Sequence, residues 1–174
     1  ALTGHLVLST LHTNSAAGAL PRLIDMKVEP FLIASTVTAI ISQRLVRRLC
    51  SNCEKYNFNP AQIDNLKKEM NLDRIIDTLK KEKLASPEST VETMEWGRPH
   101  KDTECPDGYK GRMGIHEVLE MSEAIKEMVV KNATSDDIER QAKQEGMLSM
   151  IEEGFIRSTQ KMTSIEEVLR VTTE

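Results

Sequence analysis

The chain is short of aromatic side chains: one Trp, two Tyr and three Phe in 174 residues, 3% in all. That scarcity argues against gripping single-stranded nucleic acid by stacking bases on ring faces. No excess of positive charge makes up for it. Lys and Arg number 23 against 27 Asp and Glu, a formal net charge of −4, whereas a general nucleic-acid binder carries a basic footprint. No apolar run reaches the ~20 residues needed to cross a bilayer, and the first residues do not read as a secretory signal. Cysteine is sparse and odd in number, three, which does not suit a disulfide framework. Two of the three stand as Cys50-Ser51-Asn52-Cys53, a metal or redox spacing, and a reducing cytosol is the simpler compartment. A Gly-x-x-x-x-Gly-Lys-Ser/Thr loop occurs nowhere, so the backbone cradle that holds a triphosphate is missing. No repeat of fixed period is present.

What is there begins with Thr3-Gly4-His5-Leu6-Val7-Leu8-Ser9-Thr10-Leu11-His12-Thr13-Asn14-Ser15. Leu6-Val7-Leu8 reads as a buried strand. It ends in small hydroxyls and His12, followed by Asn14 and Ser15, which are good helix N-caps. Open α/β sheets place their ligands at such strand ends. A histidine there titrates near neutrality and can donate a hydrogen bond to a phosphate oxygen or an attacking water. The plainer alternative is a polar side chain satisfied by nearby backbone.

Periodicity predicts a helix over 14–25, with Ala17, Leu20, Leu23 and Ile24 on one face and Pro21 awkward inside it. A second helix should start at Glu29-Pro30 and run apolar almost all round through Ile33, Ala34, Val37, Ile40 and Ile41. Arg44 to Leu49 alternates as a strand. Asn59-Pro60 caps a short helix carrying Ile63, Leu66 and Met70, and Leu72, Ile75, Ile76 and Leu79 follow in an i, i+3, i+4, i+7 pattern. Residues 86–99 read as loop, and 109–120 as a turn feeding a strand, with His116 on a strand face. From Ser122 the chain is helical: one helix through Ile125, Met128 and Val129, another capped by Thr134 with Asp137, stopping near Gly146. A third helix carries Leu148, Ile151 and Phe155, and Thr163 with Glu166 repeats the cap pattern before Val168 and Leu169.

Two thiolates on a tight knuckle can hold zinc, which needs four ligands in all. Cys50, Cys53 and Cys105 with His100 or Asp102 form a chemically competent set. A closed site would pin the ends of the 54–104 stretch and add folding free energy. The alternatives are a weak site or three thiols that simply pack. Arg47 and Arg48 read as a strand face making ordinary ion pairs, and Arg44 as the better candidate for a nucleotide or subunit contact.

The histidine box, the run Gln43-Arg44-Leu45-Val46-Arg47-Arg48-Leu49-Cys50, and Gly108-Tyr109-Lys110-Gly111-Arg112-Met113-Gly114-Ile115-His116-Glu117-Val118 together resemble the secretion ATPases, the hexameric motors of type II secretion and type IV pilus assembly. The resemblance covers most of the chain. It implies an α/β fold: the C-terminal portion of a RecA-like P-loop ATPase domain (1–53), a metal-tied helical insertion (54–104), and a strand with a C-terminal helical bundle (105–174). It implies catalytic roles for His5 and His12, the latter facing the terminal phosphate of ATP, with Arg44 a nucleotide-binding candidate. Magnesium is implied as cofactor of the parent protein, with structural Zn2+ at the cysteines. The implied partners are a homo-hexamer, upstream N-terminal domains and an inner-membrane platform protein, with the motor peripheral to the membrane on its cytoplasmic face. Many members carry four cysteines; here Asp102 stands where the third would fall. The cysteine-bounded insertion favours the assembly or secretion branch over pilus retraction. A zinc-ribbon nucleic-acid module and a helical protein-protein adaptor using 122–174 are the rival readings.

Both Walker motifs and the catalytic glutamate of the family lie upstream of the histidine box, so the chain is expected to begin just after them. The purified 174-residue chain is therefore predicted to bind ATP only weakly and to release no phosphate above the uncatalysed rate; measurable turnover would refute this.

Overall fold

Side-chain caps start most of the helices. In the computed structural model, which describes residues 4–172, Ser15 Oγ accepts the Gly18 N–H at 3.1 Å and opens α1 (Ala16–Asp25). Asn59 and Gln62 exchange reciprocal bonds ahead of α3 (Pro60–Glu69), and Asn71 Oδ1 accepts from Arg74 ahead of α4 (Leu72–Lys81). Ser122 and Thr134 do the same for α5 (Glu123–Val130) and α6 (Ser135–Gln144). Each such cap is worth about 1 kcal/mol. α2 (Pro30–Thr36) begins with Pro30 in its first turn, and α7 (Met150–Thr159) and α8 (Ile165–Thr172) close the chain. Strands β1 (Ala39–Leu49) and β4 (Tyr109–Glu120) pair in one two-stranded sheet. β2 (Glu54–Tyr56) and β3 (Trp96–Arg98) pair antiparallel in another. The mixture of helix and strand is that of an α/β chain.

Three sequence expectations are corrected. Leu6-Val7-Leu8 forms no strand; Leu6 and Leu8 are each 87% exposed, because an apolar strand is buried only where other strands flank it, and none does among the described residues. The second helix stops at Thr36, and the apolar run beyond it enters β1, where Ile40 and Ile41 suit the pleated surface as β-branched residues. The supposed loop over 86–99 ends in β3.

Contacts divide the chain into two units, one made of residues up to Gln43 with His116–Ser149, the other of Arg44–Ile115 with Met150 onward. The first unit packs α1, α2, α5 and α6 around Leu20, Ile33, Leu119, Ile125, Val129 and Ile138, all buried. These come from the 3.6-residue periodicity of each helix and the inward face of β4.

The second unit spends most of the chain's few rings in one place. Tyr56, Phe58, Trp96 and Phe155 form a continuous line with centroids 5.2, 5.6 and 5.4 Å apart. Trp96 and Phe155 are fully buried; burying a ring of about 200 Å² contributes on the order of 5 kcal/mol of transfer free energy. Leu72, Ile75, Ile76 and Leu79 of α4 are buried at the predicted spacing. Arg98 meets Glu54 across the β2–β3 register. α7 lies so close to α8 at Gly154 that an added Cβ would collide with both γ-methyls of Val168, standing 2.7 Å from Cγ2. Gly154→Ala should therefore destabilise the second unit by about 1–3 kcal/mol despite alanine's higher helix propensity. Urea unfolding followed by Trp96 fluorescence reads this out; an unchanged or raised midpoint would contradict the packing.

Candidate functional site

The histidine box leads into α1. His5 and His12 are exposed, on a segment without regular structure. Thr13 Oγ1 donates to the Ser15 carbonyl at 3.2 Å, and the chain turns into the helix. There the Ala16 N–H donates to Glu117 Oε1 at 2.5 Å, and Glu117 is buried. The partial positive charge of a helix N-terminus attracts anions, and here the chain's own carboxylate, carried by β4, fills that role. Glu117 belongs to the Gly-Ile-x-Glu-Val stretch recognised in the sequence, but its work of fixing the start of α1 was not legible there. His116, beside it, is half-buried on β4 as expected of a strand residue. Arg44, the proposed nucleotide contact, is half-buried on β1 and lies in the other unit from His5 and His12.

The expected zinc set is not assembled. Cys50 and Cys105 are joined to each other as a disulfide, leaving Cys53 as the free thiol. His100 Nδ1 lies 2.7 Å from Glu54 Oε1. Asp102 Oδ1 accepts the backbone N–H groups of Glu104 and Cys105 at 2.9 and 2.6 Å, and its Oδ2 accepts from Asn52. No group of three or more His, Cys, Asp or Glu suited to a metal ion exists among the described residues. Two of the three sulfurs are spent on one another, and the oxygen and nitrogen donors are committed elsewhere. The donor set does not fit zinc as it stands, and the zinc-ribbon reading loses its knuckle with it. The disulfide nevertheless ties the ends of the same stretch, at a sequence separation of 55.

The strongest electrostatic feature is Glu167, only 2% exposed. Its Oε2 accepts the backbone N–H of Arg47 at 3.1 Å, and its Oε1 takes the Arg47 guanidinium at 2.5 Å. Arg170, one turn along α8, adds bonds of 3.1 and 3.0 Å. The Arg47 guanidinium also stacks over Tyr109, 4.1 Å from the ring centroid, a cation–π contact. The Tyr109 hydroxyl lies 2.8 Å from Ser164 Oγ, and Thr163 Oγ1 donates to the Arg47 carbonyl at 2.8 Å. Thr163 is thus engaged with β1, while Ser164 Oγ accepts the Glu167 N–H at 3.3 Å at the start of α8, a task the sequence pattern had given to Thr163. The ion pair expected for Arg47 is present, with a buried partner.

A cleft of about 660 Å³ opens beside this cluster, lined by Arg47, Glu54, Arg98, Lys101, Asp107, Tyr109 and Glu166. Three cations face three carboxylates around it, and Arg98 is bound to Glu54, so the cleft exerts no net pull on an anion. Burial pushes the Glu167 carboxyl up, but its bonds to Arg47 and Arg170 outweigh that and hold it at about 2. The unfolded chain protonates the same group near 4.5. Its contribution, on the order of 3 kcal/mol, should be complete above pH 4.5 and drain away as pH falls from there towards 2. Urea midpoints between pH 2 and 7 should show this acid limb in the parent chain and a flatter one in Glu167→Gln; identical limbs would contradict it.

A family model described as type II/IV secretion system protein matches residues 1–170. Type II secretion system protein E of Xanthomonas campestris is 41% identical over 173 residues, covering 99% of this chain and 28% of that protein. The type IV pilus assembly ATPase PilB of Pseudomonas aeruginosa is 40% identical over 172 residues, covering 99% of this chain and 27% of its own length. PilB of Thermus thermophilus is 38% identical over 178 residues, covering the whole chain and 18% of that protein. The chain therefore spans less than a third of the curated relatives it matches. With a match along nearly its full length, the chain belongs to the type II/IV secretion system protein family.

Proposed function

We propose that this chain is a C-terminal segment of a motor ATPase that powers type IV pilus assembly or type II secretion. The observation that carries the reading is the match over 99% of the chain to relatives named as secretion and pilus assembly ATPases. The exposure of Leu6, Val7 and Leu8 supports it. Such a run is stable when flanked by other strands, and a RecA-like sheet supplied by the rest of the parent protein would flank it.

In that setting His12 stands at the strand's end and donates a hydrogen bond to the terminal phosphate of ATP, with His5 at the other end of the run. Phosphoryl transfer needs little covalent help from the protein and depends on positioning and charge stabilisation. Glu117 contributes at one remove: it fixes the first turn of α1 and so the exit of the box. Arg44 supplies a fixed positive charge towards nucleotide or a neighbouring subunit. Magnesium, when bound with ATP, neutralises developing charge on the phosphates. The parent assembles as a hexamer and works at the cytoplasmic face of the inner membrane against a polytopic platform protein. No helix among the described residues is long and apolar enough to cross a membrane.

In the full-length protein carrying this segment, His12→Ala should lower kcat for ATP hydrolysis at least tenfold with an unchanged Tm, as loss of one oriented donor does. His116→Ala should leave kcat within about twofold, an effect under ~0.5 kcal/mol. Full turnover in the His12 variant would overturn the assignment.

A further inference from the structure

The three cysteines fail as a zinc set, and that failure has its own chemistry. Cys50 follows β1 and Cys105 precedes β4, so their disulfide closes the loop that carries β2, α3, α4 and β3. Cys105 is buried. The third sulfur is not remote. Cys53 donates its N–H to the Cys50 carbonyl at 3.1 Å, closing a four-residue turn. A turn of that kind brings its first and last Cα atoms within about 7 Å, and disulfides span about 4.4–6.8 Å between Cα atoms. The Cys50–Cys105 pair itself spans 6.8 Å. Cys50 therefore has two sulfur partners within reach, one distant in sequence and one local, and the local one is half-buried and free.

We propose that Cys50, Cys53 and Cys105 form a thiol–disulfide exchange centre that latches and releases the base of the 50–105 loop, in place of a metal. In the latched form Cys50 is bonded to Cys105. In the released form Cys53 Sγ has attacked Cys50 Sγ: the Cys53–Cys50 bond forms, the Cys50–Cys105 bond breaks, and the proton lost by Cys53 ends on Cys105. No electrons leave or enter in that step. The latch is set in the first place by a low-molecular-weight disulfide, which takes two electrons and two protons from Cys50 and Cys105 and departs as two thiols. A reduced thiol of the same class reverses it. Disulfides in reducing compartments are commonly transient and redox-sensing, and the order of attack follows access: Cys53 is half-buried while Cys105 is covered.

What the latch holds is local. The turn carrying Cys105 is pinned by Asp102 Oδ1 and by the Gly108 N–H on the Cys105 carbonyl at 3.0 Å. Gly108, at φ +73°, packs with its Cα so near Pro99 that a Cβ would come within 2.5 Å of the proline Cβ. Cys50 adds an N–H bond to the Gly108 carbonyl at 3.1 Å. Release leaves that point held by hydrogen bonds alone, these and the one from Asn52 to Asp102, so residues 99–108 are where the switch is felt.

The test uses the whole chain equilibrated in mixtures of reduced and oxidised glutathione, quenched with N-ethylmaleimide and mapped by peptide mass. The oxidised chain should carry one label, mostly at Cys53 with a minor population at Cys105. Cys53→Ser should carry none, and its disulfide should be reduced by glutathione at least tenfold more slowly. Cys50→Ser should leave both remaining cysteines labelled, since Cys50 is the shared sulfur. Amide exchange in 99–108 should rise at least tenfold on reduction. Three labelled cysteines in excess oxidised glutathione would overturn the proposal. So would stoichiometric zinc with labelling only after chelation, a Cys53–Cys105 bond in Cys50→Ser, or an unchanged reduction rate in Cys53→Ser.

Discussion

The buried carboxylate of Glu167 is the constraint on which the second unit depends. A charge withdrawn from water is tolerable only when its lone pairs are filled, and here a main-chain N–H and two guanidinium groups fill them. Satisfying one atom group thereby fixes several elements. Arg47 holds β1 against α8, its face lies on Tyr109 of β4, and Ser164 and Thr163 add bonds from the start of α8 to Tyr109 and to the Arg47 carbonyl. The aromatic line from Tyr56 to Phe155 then packs β2, β3 and α7 as apolar filling, which has bulk but little direction. Direction comes from the charges.

Glu117 plays a comparable part in the first unit. It too is a buried carboxylate whose partner is main chain, the first N–H of α1. Glu117 sits in a stretch that the family resemblance singles out, and both glutamates serve to place backbone. The residues proposed to meet nucleotide, His5 and His12, lie by contrast on an exposed segment. This division suits the proposed motor role, with rigid frames made by buried polar contacts and the proposed nucleotide contacts carried at their edges.

Local signals were readable and distant ones were not. α4 stands at the predicted spacing because four apolar residues repeat at helical period with Asn71 before them. The caps at Ser15, Asn59 and Thr134 are short-range chemistry and were visible as such. The end of α2 was missed because the run Val37 to Ile41 suits either a buried helix or a strand, and only pairing with β4 decides it. β3 is three residues long, too short for any period to show. The main-chain partners of Glu117 and Glu167 lie 101 and 120 residues away, so the local sequence does not mark those carboxylates as buried. The cysteines stood out in the sequence but their pairing did not: spacing shows that sulfurs can meet, and the fold joins Cys50 to Cys105, 55 residues on.

A double-mutant cycle on Arg47 and Glu167 tests most directly whether buried charge organises the second unit. Arg47→Ala, Glu167→Ala and the double variant, compared by urea unfolding at pH 7, should give a coupling energy of about 2 kcal/mol or more, as expected when a buried carboxylate loses a charged hydrogen-bond partner. A coupling below about 0.5 kcal/mol, the range of exposed surface pairs, would contradict the account.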